Sequence, residues 1–442
     1  MKKVLLGTLL FSALNTAQAV DQLATGLNNT GNNKINASND EQKEHSISDY
    51  TSNNIRVGAF TIAPKLTQGN EYSSNIYYRD SYYGKTDSYI AHFKPGVAAA
   101  SNWNRHSLKL LVDTDFALYA TQGDHNDYNH VMTKLDGRFD VLKDSHFDGT
   151  FGYNYLTETR GSPDQIAGLN PTIYSTYVID GFYTHTLNRM NIKAGTNAIR
   201  YDYQNVLTSL GTSLQMDTRN RWEYAPEIRI GYLIQPEYEA FAKLQYIKAD
   251  YDTLTLTNGS GPAYDRNSQG YNALAGLAFD MTGLITGDVS MGYIERYYQS
   301  SVFQTVAGVN GLLNLKWRPT ALTTVSAKIS RTINETTQAG VAGVFAVGTG
   351  LKIEHELRRN LNLFVAGDYA NSAYQGFQEG TTSTTNQYDR NDNNYSTDVG
   401  AKYMLNRNFS ADMSYRYQNR TSNYTYNGYD VNAVYFNLTG KY

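Results

Sequence analysis

The chain has no cysteine, only 8 prolines and only 3 tryptophans in 442 residues. Without cysteine, disulfides cannot be part of the fold. No stretch approaches the roughly 20 consecutive apolar residues that a membrane helix requires. Charge of one sign is also lacking: 38 basic residues meet 41 acidic ones, a net charge of −3. That balance gives no support for nucleic-acid binding. No G-x-S-x-G elbow is present, and the closest histidine pair, His125 and His130, matches no zinc spacing. Nothing in these patterns points to an enzyme, a metal or a cofactor.

What the chain does have is tyrosine, 38 of them, with 16 phenylalanines. An apolar ring with a polar tip suits a membrane–water boundary. The mean hydropathy of −0.52 would suggest a soluble protein. That average is uninformative for a membrane barrel, whose lumenal and lipid-facing residues alternate. The N-terminus reads as a secretory signal peptide, residues 1–19. Lys2 and Lys3 precede an apolar run from Val4 to Leu14, and Ala17-Gln18-Ala19 forms an A-x-A site. Residues 20–54 are Asn-rich and aperiodic, as in Asn28-Asn29-Thr30-Gly31-Asn32-Asn33. They read as a flexible periplasmic tail, with docking to a periplasmic partner as the alternative.

From Ile55 to Tyr442 the pattern is one of strands. In 221–232, Trp222, Tyr224, Pro226, Ile228, Ile230 and Tyr232 share one parity. Arg221, Glu223, Ala225, Glu227, Arg229 and Gly231 share the other. All the charges lie on one face, and a one-residue slip would place them in lipid. At ~2–4 kcal/mol per mid-membrane basic residue, and less per acid, the slip costs on the order of 10 kcal/mol. Pro226 removes a ladder hydrogen bond and suggests a bulge or a rim position. Segments 146–156, 347–357 and 409–418 repeat the alternation, with His355 on the apolar parity; 172–186 is the least regular. In the last strand, Val434, Phe436, Leu438, Gly440 and Tyr442 alternate with Tyr435, Asn437, Thr439 and Lys441.

The connections alternate in length. Short ones lie near Asn102–Asn104, Lys143–Ser145, Asn188, Gln235, Thr282–Gly283, Pro319–Thr320, Arg358–Asn360 and Asn406–Asn408. Long ones lie near 78–87, 119–130, 158–172, 204–219, 252–268, 299–307, 334–343 and 375–394. Asn427-Gly428 adds a tight hairpin signal. The expected fold is all-β: a transmembrane, antiparallel, up-and-down β-barrel of about eighteen strands over 55–442, with short periplasmic turns and long extracellular loops. Its last strand closes on the first, near Val57–Leu66, in the bacterial outer membrane.

A barrel of that size encloses an aqueous channel unless something fills it. The lumen-lining candidates are Arg221, Glu223, Glu227, Arg229, Lys352, Glu354, Asp412 and Arg416. Their mixed signs suit a neutral or weakly charged, hydroxyl-rich solute better than a selective ion pore. Among the loops, Tyr264-Asp265-Arg266-Asn267 recurs as Tyr388-Asp389-Arg390-Asn391. Such aromatic faces beside amides and carboxylates could stack on sugars. Asp389 and Asp392 form a weak calcium signal that does not fit an EF-hand loop. By length alone, 375–394 is the expected constriction.

Several phrases, in order, carry a family resemblance. They are Tyr72-Ser73-Ser74-Asn75-Ile76, Phe93-Lys94-Pro95-Gly96-Val97, Asn102-Trp103-Asn104-Arg105-His106 and Gly161-Ser162-Pro163, then Tyr246 to Tyr251, Met291-Gly292-Tyr293, Trp317-Arg318-Pro319-Thr320 and Glu356-Leu357-Arg358-Arg359-Asn360-Leu361. Together they resemble the outer-membrane beta-barrel porin family found with exopolysaccharide and capsule export systems. The resemblance implies a conduit that exports an exopolysaccharide of biofilm matrix or capsule. It would work with a periplasmic export protein and an inner-membrane co-polymerase. It implies no catalytic residues. The alternative is a general or sugar-uptake porin. Phe436, Leu438 and Tyr442 resemble the C-terminal aromatic signal read by the outer-membrane assembly machinery.

Overall fold

The computed structural model describes residues 54–442 apart from 163, 165–167, 208–210, 257–262, 337, 339–340 and 377–389. The expected signal peptide and all but the last residue of the expected tail lie outside the described residues.

Period-two alternation produces strands because each face meets a different environment. The wall strands are β1 (Phe60–Ser73), β2 (Ser88–Ser101), β3 (Ser107–Tyr119), β4 (Tyr128–Leu142), β5 (Ser145–Thr157) and β6 (Ile173–Leu187). Next come β7 (Met190–Tyr203), β8 (Arg221–Gln235), β9 (Tyr238–Tyr251), β10 (Ser268–Met281), β11 (Ile285–Tyr298) and β12 (Val306–Thr320). The last six are β13 (Thr323–Asn334), β14 (Val341–Arg358), β15 (Leu361–Gly376), β16 (Asn391–Met404), β17 (Phe409–Ser422) and β18 (Tyr429–Lys441). Each pairs antiparallel with its neighbours in sequence. β1 and β18 close the ring, making an 18-strand barrel.

The closure runs from Lys65↔Lys441 to Ser73↔Ala433. Thr67 and Thr439 share a side-chain hydrogen bond of 2.8 Å across it. The Tyr442 amide donates to the Pro64 carbonyl at 3.3 Å. The expected first strand, near Val57–Leu66, is thus displaced upward. Ile55–Val57 instead folds back on Phe60–Ile62 through Gly58, whose φ is +57°. A left-handed turn there is easiest for glycine.

Connections at one end run from two residues (143–144) to five (102–106). At the other end they run from six (335–340) to seventeen (204–220). The short end is periplasmic and the long end extracellular. Thr282 and Gly283, with φ of +56° and +68°, supply a tight periplasmic turn of the kind that matches strand twist. The expected Asn-Gly hairpin is not made. The connection is 423–428, and its left-handed residue is Tyr426, φ +64°, not Asn427 or Gly428. Nor does Pro226 make a bulge or sit at a rim. It lies well inside β8, where the β8–β9 ladder skips Ala225 and Pro226 but keeps its register, Tyr224↔Lys248 and Glu227↔Gln245. The register shift falls between Leu233 and Gln235 instead.

Burial confirms the faces. In β8 the odd positions are buried, while Ile228, Ile230 and Tyr232 are exposed on the outside. In β5 and β17, Phe147, Phe151, Phe409, Met413 and Tyr415 are exposed likewise. In β14, Leu351, Ile353 and Leu357 are exposed on the parity that carries His355, whose Nδ1 lies 3.0 Å from the Thr323 hydroxyl. Even the irregular 172–186 segment forms a full strand, β6.

Candidate functional site

The site begins where one hairpin parts from β12, while its second strand stays paired with β15 up to Val341↔Gly376. β12 and β13 pair only as far up as Leu312↔Ser330. β13 and β14 continue together to Asn334↔Val344. Above Leu312 the β13–β14 hairpin therefore departs from β12 while staying intact. Its residues show where it goes. Ile333 and Phe345 sit on the parity that faces outward lower down, where Ile329 and Leu351 are exposed. Yet they are 6% and 7% exposed, packed with Ile247, Ile294, Val306, Tyr264 and Phe303. Ile247, Ile294 and Val306 belong to the inward faces of β9, β11 and β12. The hairpin tip is inside the barrel. Gly308 leaves room for it: a Cβ there would lie 3.1 Å from the Phe345 ring. Burying Ile333 and Phe345 contributes about 1.5–3 kcal/mol each.

Polar contacts clamp the tip. Glu335 accepts from Ser268 Oγ (2.8 Å) and Tyr251 OH (3.1 Å) and is ion-paired with Arg296. Arg266 donates to the carbonyls of Thr336 (2.5 Å), Val341 (3.0 Å) and Gln338 (2.8 Å). Arg390 reaches Gln338 Oε1 at 3.3 Å. The repeated Tyr-Asp-Arg-Asn motif thus has a shared task. Its two arginines approach the same hairpin tip from two different loops. The sugar-stacking expectation does not hold at Tyr264, which is buried with its ring edge-on to Phe303, 5.0 Å away. Tyr388 and Asp389 lie outside the described residues. Asp392 is held by Arg390 at 2.5–3.0 Å and by Tyr374 OH at 3.3 Å, which leaves no support for a calcium role.

Other loops meet the tip from across the mouth. Thr336 Oγ1 donates to Asp164 Oδ1 at 2.5 Å, joining the β13–β14 and β5–β6 connections. Burial pushes the Asp164 carboxyl up from the ordinary range, against the pull of Arg219. Arg219 makes a two-pronged pair with Glu158, at 2.8 and 2.9 Å. Arg420 donates to the Gly161 carbonyl at 3.0 Å. The expected constriction, 375–394, lies mostly outside the described residues. Among the described residues, Glu335, Thr336 and Gln338 carry the hairpin tip inward.

The eight lumen-lining candidates all occupy inward parities, but water reaches them unequally. Arg221 pairs with Glu223 (2.8 Å), Arg229 with Glu239 (2.5 Å), Glu227 with Lys243 (3.8 Å) and Arg416 with Asp398 (2.6 Å), all of them buried. Asp412 accepts from Asn437 at 2.7 Å. Lys352 and Glu354 pair at 2.7 Å while only partly buried. Sequence reasoning missed the inward charges that share that exposure: Lys134–Asp136 (3.1 Å), Arg138–Asp140 (3.0 Å) and Lys65–Asp113 (2.7 Å). The Lys134 side chain is 52% exposed, against 1% for Glu227. Inward charges that are only partly buried thus cluster on β1, β3, β4 and the periplasmic half of β14. The wall at β8 and β9 is sealed by its own ion pairs. Alternation assigns a face, but not whether a neighbour covers it.

His125 and His130 do not converge. His125 Nδ1 faces Asn170 Oδ1 at 3.1 Å, and His130 Nε2 accepts from the Thr157 amide at 2.9 Å. His92 lies between Asp115 (2.9 Å) and Glu71 (3.3 Å) inside the barrel. Among the described residues, no three His, Asp or Glu side chains are grouped to hold a metal.

No curated protein is significantly similar to the chain in sequence. Similar solved structures come from Pseudomonas aeruginosa. They include OpdO (TM-score 0.42, 12% identity, covering 87% of this chain and 98% of that one). OpdK with vanillate is similar at TM-score 0.42 and 9% identity, covering 86% and 99%. OccK2 (OpdF) in complex with glucuronate is similar at TM-score 0.43 and 10% identity, covering 86% and 98%. The profile of one sequence family matches residues 49–442, the whole barrel with its inward hairpin. The chain therefore belongs to the family described as putative beta-barrel porin 2, and it is a porin-like barrel of the outer membrane.

Proposed function

We propose that this barrel is a passive channel for small hydrophilic solutes, which it selects at the inward hairpin. The observation that carries this reading is the contact of Thr336 with Asp164 across the mouth. A tip that reaches the opposite loop narrows the path to the scale of a small molecule. Below it, the exposed pairs on β1, β3, β4 and β14 offer a water-filled route with both signs of charge, which disfavours strong ion selectivity. The test is conductance of the purified protein in a planar bilayer, with liposome swelling in small sugars. A steady open conductance with solute-size-dependent swelling is expected. A barrel that conducts nothing without a partner overturns the reading.

Export of an exopolysaccharide, with a periplasmic export protein and an inner-membrane co-polymerase, rests on the resemblance of the ordered sequence phrases. It requires the loop contacts at the mouth to part so that a polymer can thread. A deletion strain that loses surface polysaccharide while synthesis continues supports export. Unchanged secreted polymer removes it and leaves the small-solute channel.

A further inference from the structure

The hairpin that enters the lumen has a second place to go. Continuing the β12–β13 ladder upward from Leu312↔Ser330 would set Gly311 opposite Arg331, Asn310 opposite Thr332, Val309 opposite Ile333 and Gly308 opposite Asn334. In that register Ile333 and Phe345 would face outward, as their parity dictates. In the observed position the same two side chains are buried on the inner wall. The hairpin is thus apolar on the face that either position buries or turns to lipid. Moving it to the wall would mend the ladder and widen the mouth together.

Of the groups that hold it inside, one is a carboxylate set among donors on the wall. Glu335 lies on the hairpin, and its three donors lie on the wall: Tyr251 at the top of β9, Ser268 at the top of β10 and Arg296 on β11. Ser268 and Arg296 serve one carboxylate oxygen and Tyr251 serves the other. The Glu335 and Arg296 side chains are nearly sealed, at 1% and 4% exposed. Donors aimed at both oxygens of a planar carboxylate form a site that does not depend on who supplies it. We infer that this pocket is a binding site for a small carboxylate solute. Glu335 occupies it as an internal stand-in while the hairpin is inside. A solute carboxylate that takes its place frees the hairpin to zip onto β12. The solute binds only the outward state, so its differential affinity drives the shift. The inference rests on the small-solute reading above.

The absence of cysteine allows a clean test. In the double variant Val309→Cys/Ile333→Cys, the two thiols become cross-strand partners only if the hairpin reaches the wall. The full-length protein, refolded into bilayers, is probed with benzoate and with benzamide, its uncharged analogue. Benzoate should speed the cross-link at least tenfold and raise open-channel occupancy; benzamide should do neither. Glu335→Gln, added to the cysteine pair, should cross-link fast without benzoate, and Ser268→Ala should lie between. Equal cross-linking with and without benzoate overturns the carboxylate site. If Glu335→Gln fails to assemble, the benzoate comparison in the Val309→Cys/Ile333→Cys protein with Glu335 intact decides alone. Steady conductance with no benzoate effect removes the site and leaves the porin reading intact. No conductance, together with benzoate-dependent cross-linking, does the reverse.

Discussion

Arg331 donates from Nη1 to the main-chain carbonyl of Val309 at 3.0 Å, across the place where β12 and β13 stop pairing. A side chain supplies there a hydrogen bond that a strand neighbour supplies elsewhere. The same guanidinium lies 4.0 Å over the Phe345 ring. Arg331 thus fastens the hairpin to the edge it has left, and Arg331→Leu should loosen both contacts. The loss expected is about 1 kcal/mol, because the bond is water-accessible. A lower urea midpoint in vesicles, with a noisier channel, is the expected result. An unchanged midpoint and quiet current would deny Arg331 that role.

Two ion pairs should respond unequally to the same kind of change. Arg416 and Asp398 are buried together at 2.6 Å, so Arg416→Met strands a carboxylate and should cost about 3–5 kcal/mol. Lys352 and Glu354 pair at 2.7 Å with both side chains open to water over a third or more of their surface, so Lys352→Met should cost about 0–1 kcal/mol. Equilibrium unfolding of the two variants side by side measures the difference. Equal losses would mean that burial does not separate the two pairs.

The closing seam should control assembly. Phe436 is exposed on the outer face, between Asn70 and Met413 on its two neighbours. Phe436→Asp places a charge toward lipid. Deleting Tyr442 removes the amide that bonds to Pro64 and the terminal ring. Both changes should lower the yield of heat-modifiable barrel before they alter transport. Wild-type yields of both variants would show that the terminal strand tolerates loss of its aromatic face.

Acid should tighten the mouth. Asp164 sits among Arg219, Arg221, Glu158 and Thr336, and burial raises its pKa above the ordinary 3.8. The packed loops therefore hold a proton that the separated loops have released. The sign follows: the contact is favoured fully below the ordinary value and weakens as pH climbs through the raised one. Channel closures should become more frequent as external pH falls toward the ordinary carboxylate range. Asp164→Asn should flatten that dependence. A slope that survives the substitution would assign it to another group.

Much of the barrel is legible in the sequence. The Arg221 to Tyr232 segment, with its charges on one parity, has a single tolerable register. The long-short rhythm of connections counts the wall strands. Other features were silent for stated physical reasons. Val341 to Ala346 is apolar or small on both parities, so alternation cannot say which face is in; the structure buries the segment because the hairpin enters the lumen. Asn427-Gly428 looked like a two-residue hairpin, but the loop turns through Tyr426, since its strands end further apart. Length pointed to 375–394, which lies mostly outside the described residues; length gave no hint of 335–340, among the shortest external connections. A short loop can constrict a pore if the strands that carry it bend inward.

The sequence by itself determined a membrane barrel, because every strand separates water-facing from lipid-facing side chains and so encodes its own register. Only tertiary structure decided what fills the mouth. Thr336 and Asp164 are separated by 172 residues and meet because the sheet closes on itself and one hairpin parts from β12. Whether Arg221 or Lys134 sees water, and which carboxylate occupies the Arg296 pocket, depends on neighbours that no local pattern specifies.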